Sequence, residues 1–468
     1  MEQKNAWLSY KEEELAAVEA CAEGYKAFIS KCKTERECVD EIVKMAEKAG
    51  YTCMEAALQK GSVAPGDKFY AVNKKKSIVL FHIGEAPLTE GFQILGAHID
   101  SPRLDIKQNP LFETEEMALL DTHYYGGIKK YQWVTLPLAI HGVVAKKDGS
   151  IVNISIGEAL SEPVVGITDL LIHLAADQLA KKASVVIEGE NLDILVGSRP
   201  IAVKEDENGE TEHIKNAVKQ NILHILKEKY DIEEEDFLSA ELEAVPAGPA
   251  RDFGLDASMV MGYGQDDRIC AYTSCVAQLQ QKEIPKRTSV CIFCDKEEIG
   301  SVGATSMSSK FFERTVAELL AKSGETSYGA VMKTLSSCNM LSSDVSAAVD
   351  PNYESAFEKK NAAFMGKGLV FNKFTGARGK SGSNDASAEY VAYLRRIMDD
   401  AGVHWQTAEL GKVDQGGGGT IAYITAEYGM EVIDSGIAVL NMHSPWEVSS
   451  KADIYEAVKG YQAFLNAC

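Results

Sequence analysis

The chain has 468 residues, with 48 lysines and arginines against 69 aspartates and glutamates, for a formal net charge of −21. That surplus excludes a nucleic-acid binder, whose phosphates demand a basic face, and argues against an anionic membrane surface as partner. Apolar content of 45% and charged content of 25% are those of a soluble globular protein, long enough for a large core and more than one domain.

In chain order, residues 9–48 read as two helices, with Thr34 as N-cap of the second and Gly50 as its stop. The N-terminal stretch has no basic segment leading into an apolar one, so it reads as an amphipathic helix rather than a signal peptide. No apolar run approaches the ~18 residues needed to cross a bilayer. Then come the β-rich runs KFYAVN, SIVLFHIG and FQILGAHID. The last two are nearly continuous in hydrophobicity, as expected of strands covered on both faces.

From about 106 to 250 the character changes. An alternating stretch carries a KKDGS hairpin signal. It is followed by a helix-like DLLIHLAADQLAKKA, an acidic link KEDENGETEH, a long helix HIKNAVKQNILHILKEKYDI, and a strand entering a Pro/Gly turn. From 251 onward helices and apolar strands alternate again. The expected architecture is α/β: a mixed, largely parallel sheet flanked by helices, formed by 1–105 and 251–468, with an inserted α+β domain at 106–250.

The ten cysteines are scattered, as in large chains of reducing compartments, which points to the cytoplasm. The single C-x-x-C pair, Cys291 and Cys294, lies inside an apolar run and reads as core.

Five short islands place potential metal ligands after strand-like runs. They are GAHIDSPRLD with His98 and Asp100, GYGQDDRICAY with Asp266 and Asp267, CDKEEIGS with Glu297 and Glu298, SSDVSAAVDPNY with Asp344, and LNMHSPWE with His443. Each alone is weak. An H-x-D triplet is common by chance, adjacent glutamates at a strand end are ordinarily solvated, and His82, His123, His141, His173, His213, His224 and His404 read as ordinary surface or core residues. The ordered set is stronger, because ligands in open α/β sheets bind at the carboxyl ends of strands, so one sheet edge could gather all five.

Two histidines and three or more carboxylates suit two zinc-like ions that share a carboxylate. Such a cluster neutralises acids that would otherwise protonate when buried. Paired cations polarise a carbonyl and acidify a shared water, as hydrolysis at neutral pH requires. The adjacent glutamates then have a rationale: one ligates metal while the other stays uncoordinated as general base. His98 and Asp100, two apart, share a face if extended, so Asp100 can accept the second ring N–H of His98.

These motifs, together with EEIGSVGATS, GSNDASAEY and MHSPWE, resemble the aspartyl aminopeptidase and aminopeptidase I family of dinuclear zinc exopeptidases, over nearly the whole chain. The resemblance implies a zinc-exopeptidase-like domain with an inserted dimerisation domain, and dimers assembled into a dodecamer. It implies two zinc ions per subunit, with cobalt or manganese accepted by the same N/O donors. His98 and Asp344 would hold one ion, Glu298 and His443 the other, and Asp266 would bridge. Glu297 would be the general base and Asp100 the partner of His98. The substrates would be peptides with a free N-terminus.

Two departures concern substrate choice. Ala347 and Asp169 stand where aspartyl-preferring members carry histidines, which weakens the case for acidic N-terminal residues and leaves acidic and neutral ones both open. Lys373, Arg378 and Lys380 could bind a side-chain carboxylate, or form a solvated loop. The glycine run, including Gly418 and Gly419, could bring N–H groups to the substrate, or be a flexible turn. A deacylase or dipeptidase on the same kind of site, and a non-catalytic assembly protein with a vestigial site, are the competing readings.

Overall fold

The computed structural model describes residues 4–202 and 214–467, so the acidic link KEDENGETEH, with His213, lies outside the described residues. The chain forms two compact units. The first comprises Met1–Ser101, Ala250–Met442 and Trp446–Cys468; the second comprises Pro102–Pro249 and His443–Pro445.

The first unit is built on a nine-stranded sheet, in the order Thr52–Cys53, Lys68–Asn73, Ser77–His82, Ser289–Cys294, Gln93–His98, Asn339–Ser342, Glu431–Gly436, Leu369–Asn372 and Trp405–Ala408. Five pairings are parallel and three antiparallel, so the sheet is mixed and largely parallel. Its central strands are buried on both faces. Ile78 and Leu80 enter one core while Val79 and Phe81 enter the other. The same alternation sends Cys291 and Cys294 to opposite faces, so the C-x-x-C pair is core and holds no metal between its sulfurs.

Helices cover these faces. Thr34 caps Glu35–Lys48: its hydroxyl accepts from Glu37 N at 3.2 Å, and Glu37 accepts in return from Thr34 N at 3.0 Å. Gly50, at φ +87°, takes the chain out of that helix. A smaller five-stranded sheet contains Met259–Gly262 and Glu447–Ser450 as antiparallel neighbours. Helices Gln265–Leu279 and Lys451–Leu465 pack against each other.

Asp453, in the first turn of Lys451–Leu465, is fully buried and accepts from Gly366 N and Gly368 N at 2.7 Å each. This clamp seats the strand Leu369–Asn372. A Cβ at residue 368 would lie 1.9 Å from His404 O, so only glycine fits there.

The second unit holds a six-stranded antiparallel sheet, in the order Ile151–Ile156, Leu138–Ala145, Ala240–Pro246, Arg103–Thr114, Met117–Tyr125 and Ile194–Gly197. The KKDGS hairpin closes through Lys146 N donating to Ser150 O at 2.9 Å. The long helix runs Ala217–Tyr230. The helix expected over DLLIHLAADQLAKKA is instead a short 3₁₀ turn, Ile172–Leu174, and one helical turn, Ala176–Leu179. Leu171, Ile172, Leu174 and Leu179 remain 53–67% exposed, so no packed face drives helix propagation. Among the described residues no helix is long and apolar enough to cross a membrane.

The clamp gives a stability prediction. Asp453→Ala leaves two buried N–H groups without their acceptor and is expected to lower unfolding stability by about 2–4 kcal/mol. Urea unfolding checks this; an unchanged midpoint would mean that water satisfies both amides.

Candidate metal centre and active site

Three adjacent parallel strands set the site. Ser289–Cys294, Gln93–His98 and Asn339–Ser342 run side by side, with Cys294 opposite His98 and Ser342 opposite Gly96. Their carboxyl ends therefore bring together the turn carrying Glu297 and Glu298, the terminal residue His98, and Asp344 two residues past its strand. His98 is 2% exposed.

His98 Nδ1 lies 3.0 Å from the Asp100 carbonyl oxygen and 3.3 Å from Asp100 Oδ1. Donation from Nδ1 to that carbonyl makes Nε2 the acceptor nitrogen. Nε2 is 3.2 Å from Asp266 Oδ1 and 4.0 Å from both Glu297 Oε2 and Asp344 Oδ1. The Asp100 carboxylate, expected from the sequence to serve the ring, has a second task. Its oxygens accept the backbone N–H groups of Glu297 and Glu298 at 3.2 Å each. One buried residue thus fixes the imidazole through its carbonyl and the adjacent glutamates through its carboxylate.

Asp266 and Asp267 arrive differently from the expectation of a single sheet edge. They follow Met259–Gly262 of the smaller sheet and open the helix Gln265–Leu279. Gly264, at φ +73°, allows the turn; a Cβ there would lie 2.2 Å from an Arg268 guanidinium nitrogen. Asp266 N donates to Glu447 Oε2 at 3.1 Å, and Ser101 Oγ donates to the Asp266 carbonyl at 2.7 Å. The Gln265 amide donates to Val260 O and Glu447 O and accepts from Tyr25 Oη and Ser449 Oγ. Asp267 Oδ2 accepts from His98 N at 3.3 Å. The sequence reading assigns no role to Gln265 or Glu447, although both stand inside quoted motifs. Nothing in one sequence shows that residues 181 apart will meet.

Two sets of ligand atoms lie within 4.8 Å of one another: His98, Asp267 and Asp344, and His98, Asp266 and Glu298. The electrostatics explain what such a cluster needs. Burial first, and then the charge of Asp266, push the Asp267 carboxyl well above the usual range against the opposing pull of His98. Burial, then Asp267 and Asp266, do the same to Asp344, with His98 again opposing. Burial disfavours a charged His98, but Asp100, Asp266 and Asp344 outweigh it and hold the imidazole well above its ordinary value. Among the described residues no N–H or O–H donor reaches the buried Asp267 Oδ1. A divalent cation meets the same field, and the mixed nitrogen and oxygen donors fit zinc.

The remaining candidates are placed as follows. His443, at φ +64°, belongs to the second unit and directs Nδ1 to Gly127 O at 2.9 Å, which makes Nε2 its acceptor nitrogen; it is in neither ligand set. Asp169, also in the second unit, accepts from Leu170 N and Gln178 Nε2 at 2.8 Å each. Lys373 and Lys380 both pair with Asp385, at 2.9 and 2.8 Å, and hold its carboxyl below the usual range. Arg378 lines a cleft of about 210 Å³ with Thr375, Gly376 and Leu410. Gly418 N donates to Thr375 O at 3.1 Å, and Gly419 has open space around its Cα. Only the first half of the glycine run is sterically required: a Cβ at Gly416 would lie 1.5 Å from Leu410 O, and one at Gly417 2.4 Å from Ala377 N.

Residues 28–465 match the family model of the aminopeptidase I zinc metalloproteases, M18. The chain is 62% identical over 466 residues to a probable M18 family aminopeptidase 1 of Clostridium acetobutylicum, covering 99% of this chain and 98% of that one. It superimposes on the crystal structure of the M18 aminopeptidase from Thermotoga maritima with a TM-score of 0.93 at 44% identity, and on that of aminopeptidase I from Clostridium acetobutylicum with 0.90 at 60%, each covering 100% of both chains. The chain belongs to the M18 family of zinc metalloproteases and is an aminopeptidase.

Proposed function

We propose that this aminopeptidase uses two zinc ions per subunit and Glu297 as general base to release the N-terminal residue of peptides. The observation that carries the reading is the pair of ligand sets sharing His98, with the Glu297 carboxylate beside them and in neither. His98 and Asp344 would hold one ion, Glu298 and His443 the other, and Asp266 would be shared, with Asp267 grouped beside His98 and Asp344. When bound, zinc supplies a Lewis acid for the scissile carbonyl and lowers the pKa of water. Glu297 takes a proton from the attacking water and delivers it to the leaving amine nitrogen. Asp100 holds both the His98 ring and the Glu297 backbone, so ligand and base keep one geometry.

Lys373 and Lys380 are both engaged by Asp385, so Arg378 is the cation of that loop that would meet a substrate side-chain carboxylate. Assembly of dimers into a dodecamer is supported by the family resemblance and by a distant structural likeness, 19% identical with a TM-score of 0.75, to the S. cerevisiae mApe1 dodecamer. The exposed apolar residues of the second unit, the insertion 106–250 of the sequence reading, are candidate contacts. Cysteine usage, with nine free thiols among the described residues, supports a cytoplasmic site of action.

Glu297→Gln is expected to keep its zinc and lose at least ~100-fold in kcat; a wild-type rate would remove the base assignment. His98→Ala, which strips the ligand common to both sets, should weaken zinc binding by at least ~100-fold in a chelator competition assay. His443→Ala should leave about half of the wild-type zinc, consistent with one open-site ligand lost. Full metal content in that variant would exclude His443 from the centre.

A further inference from the structure

The turn carrying Glu297 and Glu298 sits in a loop whose base is closed by a clasp. Asp295 N donates to Thr305 O at 3.2 Å. Thr305 Oγ1 donates to Asp295 Oδ2 at 2.6 Å, and Lys296 Nζ pairs with the same oxygen at 2.9 Å. Asp295 is fully buried and Thr305 nearly so. Within the loop, Ser301 N donates to Lys296 O at 2.7 Å and Gly300 N to Glu297 O at 2.9 Å. Outside it, Asn73 Nδ2 holds Ala304 O at 2.7 Å. Lys296, at φ +70°, turns the chain directly into the glutamates.

An acid is an unfavourable residue to choose for this clasp. Burial, and then the charges of Glu35 and Asp100, push the Asp295 carboxyl up, with Thr305 and Lys296 acting against them. An apolar pair would close a loop without that cost. What a carboxylate adds is direction: one oxygen receives both a hydroxyl and an ammonium, two residues before Glu297. Asp100 grips the glutamate backbone from one side and the clasp grips the loop from its base. Displacing a reacting group by about 1 Å can cost about 100-fold in rate.

We propose that Asp295 and Thr305 are positioning residues that set the Glu297 carboxylate for proton transfer, a role that rests on Glu297 being the general base. The experiment compares Thr305→Val with Thr305→Ser, each alone and in the Glu297→Gln background. Thr305→Val should lower kcat by about 10–100-fold with KM and zinc content unchanged, and should raise deuterium uptake in the 296–304 segment. Thr305→Ser, which keeps the hydroxyl, should restore both readouts. In the Glu297→Gln background, Thr305→Val should cost almost nothing further, because the group it positions is gone.

A loosened loop with wild-type kcat would overturn the proposal. So would loss of zinc in Thr305→Val, which would route the effect through Glu298. Equal damage from serine and valine would reduce the clasp to packing. Should Thr305→Val fail to fold, Asp295→Asn is read by the same two measurements, and an undisturbed loop and rate there would equally refute the role. A wild-type rate for Glu297→Gln alone would remove the base assignment, while the exchange data would still report whether the clasp holds the loop.

Discussion

Four carboxylates and one imidazole converge where water is largely excluded, and that concentration of negative charge is the constraint on which the rest of the site depends. Asp266, Asp267, Glu298 and Asp344 cannot all stay ionised around a neutral His98 in low dielectric. Either protons or a cation must compensate, and the polypeptide is arranged to hold the acids in place until one does. The buried Asp100 is the keystone, since its carbonyl sets the ring of His98 and its carboxylate sets the amides of Glu297 and Glu298.

The fold supplies this convergence by two routes. Parallel strands deliver His98, the glutamate turn and Asp344 at adjacent carboxyl ends, where backbone register alone brings them near. Asp266 and Asp267 come from the smaller sheet, and a polar scaffold of Gln265, Glu447, Ser449 and Tyr25 secures them. Every hydrogen-bonding atom of the Gln265 amide is engaged. Such saturation is what a buried polar group requires if it is to fix one conformation rather than weaken the core.

Much of this was legible in the sequence because it depends on local pattern. The apolar runs ending in His98 and Cys294, the Thr34 cap and the KKDGS hairpin all state their conformation within a few residues. What was not legible is long-range or sterically conditional. The strand Glu431–Gly436 carries a weak signal because Glu431 and Asp434 interrupt its apolar run, yet Asp434 is buried with Thr420 Oγ1 donating to it at 2.6 Å. Engagement of Lys373 and Lys380 by Asp385 depends on loop closure, not on spacing. The apolar residues near 172 follow a helical period, but period alone does not make a helix when nothing packs against it.

The brief excursion of His443–Pro445 into the second unit bears on how separable the two parts of the chain are. The imidazole of His443 takes its tautomer from the carbonyl of Gly127, a residue that belongs to the insertion. Deleting residues 102–249 would therefore leave His443–Pro445 without the unit to which they belong. It would remove the acceptor that orients the His443 side chain.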